Sequence, residues 1–256
     1  MMNRTTIFLA SLLFLAASCA QPQKVARYSV KVEQEYPHDT LSYTQGLFFD
    51  AGRLFETAGQ YGESNLREVN LEDGIPLRAT YMEKEIFAEG SCIIGDNIYV
   101  LTWLERLCLV YDKNTFERTG QFTYNRQGWG LTTDGSLLIM SDGSAQLYFV
   151  SPKTFTIVRS VTVRNGGKSV NYLNELEYIN GKVWANVYLR DEIVIIEPST
   201  GEVEGVIDCR GLLPKDRRSE RTDVLNGIAY RPETGEIFIT GKYWPSMYKI
   251  SIEEKK

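Results

Sequence analysis

The chain is poor in the residues on which most hydrolytic and metal chemistry depends. Its 256 residues contain one histidine, His38. A histidine-based triad is not expected from this one residue, and a multi-histidine zinc centre has no ligands. There is no Gly-x-Ser-x-Gly elbow, no Walker loop and no dinucleotide fingerprint, so the esterase and nucleotide classes those motifs mark have no support. Basic runs are absent, and 28 Lys and Arg stand against 33 Asp and Glu. A mildly acidic chain of this kind is not expected to bind nucleic acid. After residue 20 no stretch repeats apolar residues with helical period, which argues against packed amphipathic helices. Cysteine is scarce as well. Cys92, Cys108 and Cys209 have no zinc spacing and cannot all pair, so they read as small buried hydrophobes.

What is present begins with a leader. Arg4 gives a positive start, Ile7 to Ala17 is an apolar run broken only by Ser11, and Leu-Ala-Ala-Ser-Cys follows at 15–19. The run is too short to span a bilayer but suits a signal segment. Its ending resembles a bacterial lipoprotein signal, with Cys19 as the lipidated residue. An ordinary secretory signal cleaved nearby is the other reading. Residues 1–19 are thus expected to be signal, 20–27 a tether, and 28–256 one domain. The chain is then expected to be lipid-anchored in a bacterial envelope, facing the periplasm, with no other membrane contact.

The body carries a fivefold repeat. Tyr-Thr-Gln-Gly-Leu (43–47), Phe-Ala-Glu-Gly-Ser (87–91), Gly-Trp-Gly-Leu (128–131), Leu-Asn-Glu-Leu-Glu (173–177) and Leu-Asn-Gly-Ile-Ala (225–229) each open a strand–turn–strand run. Turn signals follow at 50–52, 95–97, 133–135, 179–181 and 233–235. Gln45, Glu89, Trp129, Asn174 and Asn226 fall in one register, at steps of 44, 40, 45 and 52 residues. That period, with several strands per unit, predicts an all-β fold: a five-bladed β-propeller with those five residues ringing the mouth of its channel. The last unit lacks an outer strand. The alternating segment Tyr28–Tyr36 is expected to supply it and close the ring. Charged Pro214–Thr222 reads as a solvated loop, and His38 as a turn or rim residue.

Chemistry then rests on a carboxylate among aromatics. Glu89 follows Phe87 and shares its register with Trp129, while Trp103 ends the next strand. Such a glutamate is either a desolvated proton-exchange group or a structural acceptor for backbone amides.

Nine segments in register resemble the plant-type glutaminyl-peptide cyclotransferases. They are Tyr-Thr-Gln-Gly-Leu, Phe-Ala-Glu-Gly, Leu-Thr-Trp (101–103), Gly-Trp-Gly-Leu-Thr-Thr-Asp-Gly (128–135), Ser-Asp-Gly (141–143), Leu-Asn-Glu-Leu-Glu, Trp-Ala-Asn-Val (184–187), Leu-Asn-Gly-Ile-Ala-Tyr (225–230) and Thr-Gly-Lys-Tyr-Trp-Pro (240–245). The resemblance implies conversion of N-terminal glutamine of peptides or proteins to pyroglutamate, with release of ammonia. It implies Glu89 as general acid/base, Asn174 and Lys242 beside the reacting amide, and Gln45 with the aromatic walls Phe87, Trp103 and Trp129 around the substrate. Tyr43 stands where the family usually has Phe, and Tyr188 where it usually has Trp. No cofactor is implied for catalysis; a structural divalent cation, calcium, in the channel is allowed, and a monomer is expected. Two rival readings share the residues: a non-catalytic envelope binding propeller, and a calcium-dependent lactonase-like hydrolase using Glu89, Asn174 and Asn226 as oxygen ligands.

Overall fold

The computed structural model describes residues 24–255. The expected signal segment with Cys19, and the start of the tether, lie outside the described residues. Within them the chain is all-β apart from one turn of 3-10 helix at Lys215–Arg217.

Strand β1 (Ala26–Pro37) comes first. The first meander is β2 (Thr44–Asp50), β3 (Arg53–Ala58), β4 (Asn65–Val69) and β5 (Pro76–Tyr81). The second is β6 (Ala88–Ile94), β7 (Asn97–Thr102), β8 (Leu107–Asp112) and β9 (Arg118–Thr123). The third is β10 (Leu131–Thr133), β11 (Leu138–Met140), β12 (Gln146–Val150) and β13 (Ile157–Thr162). A small hairpin, β14 (Arg164–Asn165) and β15 (Lys168–Ser169), follows. The fourth meander is β16 (Leu173–Ile179), β17 (Lys182–Val187), β18 (Glu192–Ile196) and β19 (Val203–Asp208). The last is β20 (Leu225–Arg231), β21 (Glu236–Gly241) and β22 (Ser246–Glu254).

Three meanders form separate four-stranded sheets, and the last two join in an eight-stranded sheet. The joint is β1. It pairs antiparallel with β22, from Tyr28 opposite Glu254 to Pro37 opposite Ser246. It also pairs parallel with β19, from Ala26 opposite Gly205 to Ser29 opposite Asp208. The N-terminal segment therefore does add a strand to the last meander. It starts two residues earlier than expected, because Ala26 and Arg27 of the presumed tether find partners on β19. Tying two sheets together through unpaired edge groups is the gain. The turn chemistry is as read: Asn180 and Gly181 both have positive φ, 49° and 83°, as a two-residue hairpin with primed geometry requires.

The first strands of successive meanders touch in a closed cycle, β2 to β6 to β10 to β16 to β20 and back to β2. The core lies between neighbouring sheets. Leu47, Phe49 and Leu54 pack against Ala229, Phe238 and Met247, and Ile139 and Phe149 pack against Leu176 and Val183. Burying Phe238 alone contributes about 1.5–3 kcal/mol. Cys92, Cys108 and Cys209 are buried free thiols in this packing.

The repeated motif has a structural cause. In four meanders the pairing of the first two strands slips at the same place: after Thr44, Ala88, Leu173 and Leu225. The residues in these irregularities are Gln45, Glu89–Gly90, Asn174–Glu175 and Asn226–Gly227. A bulge re-aims the side chains it carries. The glycine after the motif residue lets one inner strand lie on the next. A Cβ on Gly130 would sit 1.9 Å from the Asn174 carbonyl oxygen, and one on Gly90 2.4 Å from the Leu131 nitrogen. In the fourth meander Glu175 takes that place, and its Oε2 accepts from the Ile228 N–H at 2.8 Å.

Candidate active site

One cavity of about 280 Å³ opens at the end of the inner strands. It is lined by Tyr43, Gln45, Gln60, Phe87, Glu89, Trp103, Trp129, Asn174, Tyr188 and Lys242. All nine pocket residues expected from the sequence are among them. Asn226 is not: it lies fully buried behind the wall. Its Nδ2 donates to the Thr44 carbonyl at 2.8 Å and to Gln45 Oε1 at 3.3 Å. Asn226 thus orients Gln45 and leaves the Gln45 NH2 for the cavity, which corrects the five-residue ring.

Two positions supply each contribution. The bulges deliver Gln45, Glu89 and Asn174, with Trp129 just ahead of β10. The ends of the second strands deliver Trp103, Tyr188 and Lys242, immediately after β7, β17 and β21. Trp103 and Tyr188 each stand fourteen residues beyond their bulge residue. The same offset from Gln45 leads to Gly59; the lining residue is its neighbour Gln60, which the repeat does not mark. Its φ of 120° is strained for a non-glycine residue and holds its side chain at the cavity wall.

The aromatic walls brace one another. Phe87 meets Trp103 edge-on at 5.6 Å between centroids and Tyr43 at 6.0 Å, and Trp129 meets Tyr188 edge-on at 5.6 Å. Tyr243 packs on Tyr43 at 5.2 Å. Gln127 had no sequence signal, yet its Oε1 accepts from the indole N–H of both Trp103 and Trp129, each at 3.0 Å. One amide oxygen so fixes the relative pose of two walls.

Glu89 and Lys242 are the charged groups of the cavity, 4% and 3% exposed. Among the described residues, the Glu89 carboxylate accepts no hydrogen bond and Lys242 Nζ makes no ion pair. Glu89 is therefore no acceptor for structural amides: Thr57 Oγ1 bonds only its backbone carbonyl, at 2.7 Å. Burial pushes the Glu89 carboxyl well above its ordinary value, partly countered by the Lys242 charge and reinforced by Glu105. Burial brings Lys242 down to about 8, with Glu89 and Asp223 opposing. Nζ lies 4.3 Å from the Tyr43 ring centroid and 5.4 Å from that of Tyr188, where the ring faces offset part of the desolvation. Burial also raises both tyrosine hydroxyls, so each keeps its proton and can donate.

His38 is buried away from the cavity, its ring between the Trp244 carbonyl at 2.8 Å and Glu56 at 3.2 Å. Pro214–Thr222 is largely exposed, but Arg217 ties it to Glu35 and Ser246 at 2.8 and 3.1 Å.

A channel cation can be tested on the donors present. Calcium asks for six to eight oxygens. Among the described residues no three His, Cys, Asp or Glu side chains converge on one point. Glu175 Oε1 and Asn226 Oδ1, beside the fourth-to-fifth junction, are buried oxygens without a partner. Burial, with Glu177 adding to it, holds the Glu175 carboxyl well above its ordinary value. One carboxyl oxygen and one amide oxygen fall short of the donor set a hard dication takes. The calcium expectation gains no support, nor does the lactonase-like reading.

The sequence model of the glutamine cyclotransferase family matches residues 6–252. The chain is 40% identical to the glutaminyl-peptide cyclotransferase of Arabidopsis thaliana over 232 residues, 88% of this chain and 72% of that one. Its fold superposes on the crystal structure of Myxococcus xanthus glutaminyl cyclase with a TM-score of 0.85 and 35% identity, over 91% of this chain and all of the other. A looser likeness, in fold alone, is to the WD40 beta propeller domain of Doa1, with a TM-score of 0.50 and 11% identity over 80% and 62% of the two chains. With a family match across nearly its whole length, the chain belongs to the glutamine cyclotransferase family.

Proposed function

We propose that the protein is a glutaminyl-peptide cyclotransferase that converts the N-terminal glutamine of peptides or proteins to pyroglutamate and releases ammonia. The observation that carries the reading is the pair Glu89 and Lys242. Both are buried at the wall of a cavity of single-residue size, and among the described residues neither charged group has a hydrogen-bonded or ion-pair partner.

The substrate brings its own nucleophile, so no serine or cysteine is needed. Its α-amine attacks the side-chain amide carbon, and the cavity selects the folded conformer that places the two together. An α-amine titrates near 7.7–8.0, so it is partly neutral at pH 7. Glu89, its proton affinity raised by burial, takes the amine proton as the C–N bond forms. It then passes that proton to the departing amide nitrogen, which leaves as ammonia. Asn174 and Lys242 donate to the oxyanion between these steps, an effect worth about 3–4 kcal/mol per donor where it has been measured. Trp103, Trp129 and Tyr188 exclude water, which would otherwise hydrolyse the amide to glutamate.

The five four-stranded meanders are, in this reading, blades of one closed propeller whose inner strands carry the site. Cys19 is its lipid anchor in a bacterial envelope. The direct test incubates the protein with a Gln-leading peptide, with and without EDTA, and follows product mass and free ammonia above spontaneous cyclisation. Loss of one ammonia in both samples is the expected result. No turnover of any Gln-leading peptide would leave the non-catalytic binding reading.

A further inference from the structure

The large apolar side chains that stand exposed among the described residues fall in two places. Val32, Ile75, Leu77, Tyr81, Ile157 and Val158 lie on the outermost strands or the turn before one of them. Leu41, Tyr61, Leu104, Tyr172 and Leu189, at 47% to 68% exposure, belong to the loops that carry the cavity residues. Each of these five is one or two residues from a lining residue: Tyr43, Gln60, Trp103, Asn174 and Tyr188 in turn.

Contacts tie four of these loop positions to the cavity residues. The Tyr61 ring meets Phe87 edge-on at 5.3 Å, and its hydroxyl donates to Glu105, which stands next to Leu104. The Tyr172 carbonyl accepts from the Tyr188 N–H at 2.8 Å. The Ser42 carbonyl, next to Leu41, accepts from the Tyr243 N–H at 2.7 Å, beneath Tyr43. Tyr172 and Leu189 moreover hold positive φ, 67° and 66°. Bulky residues are rare in that region. Such strain concentrates at ligand sites.

We propose that this rim is a subsite for the second and third residues of the substrate, and that it selects peptides and protein N-termini in which large apolar residues follow the leading glutamine. The inference rests on the cyclase reading above. A cavity of about 280 Å³ is at the small end of ligand sites and takes one residue. A chain bound by its N-terminus must leave through the mouth. Extended residues advance about 3.3 Å each and alternate in direction. The second and third side chains therefore meet opposite arcs of the rim, and a ring drawn from five loops offers an apolar surface to both.

The test compares two uncharged amidated peptides of equal length, Gln-Phe-Leu-Gly and Gln-Ser-Ser-Gly, on the intact protein. The apolar peptide is expected to have a kcat/KM about tenfold or more higher, carried mainly by KM, because rim burial strengthens ground state and transition state alike. Leu104→Ser with Leu189→Asn should reduce that ratio to about threefold or less. Asn tolerates the left-handed backbone at 189. Leu77→Ser with Val158→Ser, on the outer strands, should leave the ratio and the basal activity unchanged. Cyclisation of both peptides at equal kcat/KM would overturn the rim subsite alone, as would a ratio that survives in the rim variant. Cyclisation of neither would overturn the cyclase reading and the subsite together. Concentration-dependent dimerisation that disappears in the rim variant, with equal kcat/KM for the two peptides, would assign the rim to a second copy of the chain instead.

Discussion

Glu56 on β3 and Glu89 on β6 sit in neighbouring meanders, both almost wholly buried, and they have opposite fates. Glu56 is saturated. It accepts from Ser42 at 2.5 Å, Thr44 at 2.6 Å and both Nε and a terminal nitrogen of Arg67 at 3.0 and 2.8 Å, with His38 at 3.2 Å. Burial alone would raise its proton affinity, but the Arg67 charge, with His38 and Ser42, reverses the sign and holds the carboxyl far below its ordinary value. Glu89 has the burial without the partners and moves the other way. Burial by itself therefore does not make a carboxylate reactive. The missing partner does, since an unsatisfied group can serve a substrate.

The comparison can be broken at Glu89 first. Glu89→Gln keeps size and burial and is expected to fold, with kcat lowered about 10²–10⁴-fold. Unchanged turnover would remove the general acid/base role. Glu56→Gln should do the converse. It leaves the buried Arg67 guanidinium with Asp39, at 2.7 Å, as its remaining carboxylate, a change that costs at most about 3–5 kcal/mol, and denaturant unfolding at pH 7 measures it. The sign with pH follows from the lowered carboxyl. Its contribution is fully present above its ordinary value of 4.5 and is lost as pH falls towards the folded value. The gap between wild type and variant should thus narrow in acid.

Lys242 sharpens the contrast on the basic side. Its charge is lost as pH rises through about 8, whereas the substrate amine gains nucleophile over the same range. A falling alkaline limb in kcat/KM therefore belongs to the enzyme. Lys242→Arg, whose charge persists, should lower the rate and move that limb to higher pH. A limb that stays in place would sink the assignment. The smallest effect is expected at Glu175. Its carboxyl is already held towards the neutral form, so Glu175→Gln should change thermal stability by no more than about 1 kcal/mol. A loss as large as that for Glu56→Gln would show that Glu175 is ionised and paired.

Much of this was legible in the residues, and the places where it was not share a cause. Strand alternation, Gly and Asn turns and a repeat near 44 residues are local signals, and they marked the opening segment and first turn of each meander. The parallel pairing of β1 with β19 was not legible, because it joins segments about 180 residues apart through backbone groups that carry no side-chain code. The site divides in the same way. The nine motif residues were marked by type and spacing, whereas Gln127 is marked only by two indoles that the fold brings to it. Asn226 repeats the motif as well as Asn174 does, yet its amide is spent on the Thr44 carbonyl and Gln45, behind the cavity wall.

The sequence by itself determined the all-β repeat, the family and the residues that line the cavity, because periodicity, turn chemistry and motif spacing act between near neighbours. The tertiary structure alone decided which buried glutamate is free to react. Proton affinity depends on what lies across space from a group, and Arg67 and His38 bond Glu56 from other strands and turns while no described residue hydrogen-bonds the Glu89 carboxylate.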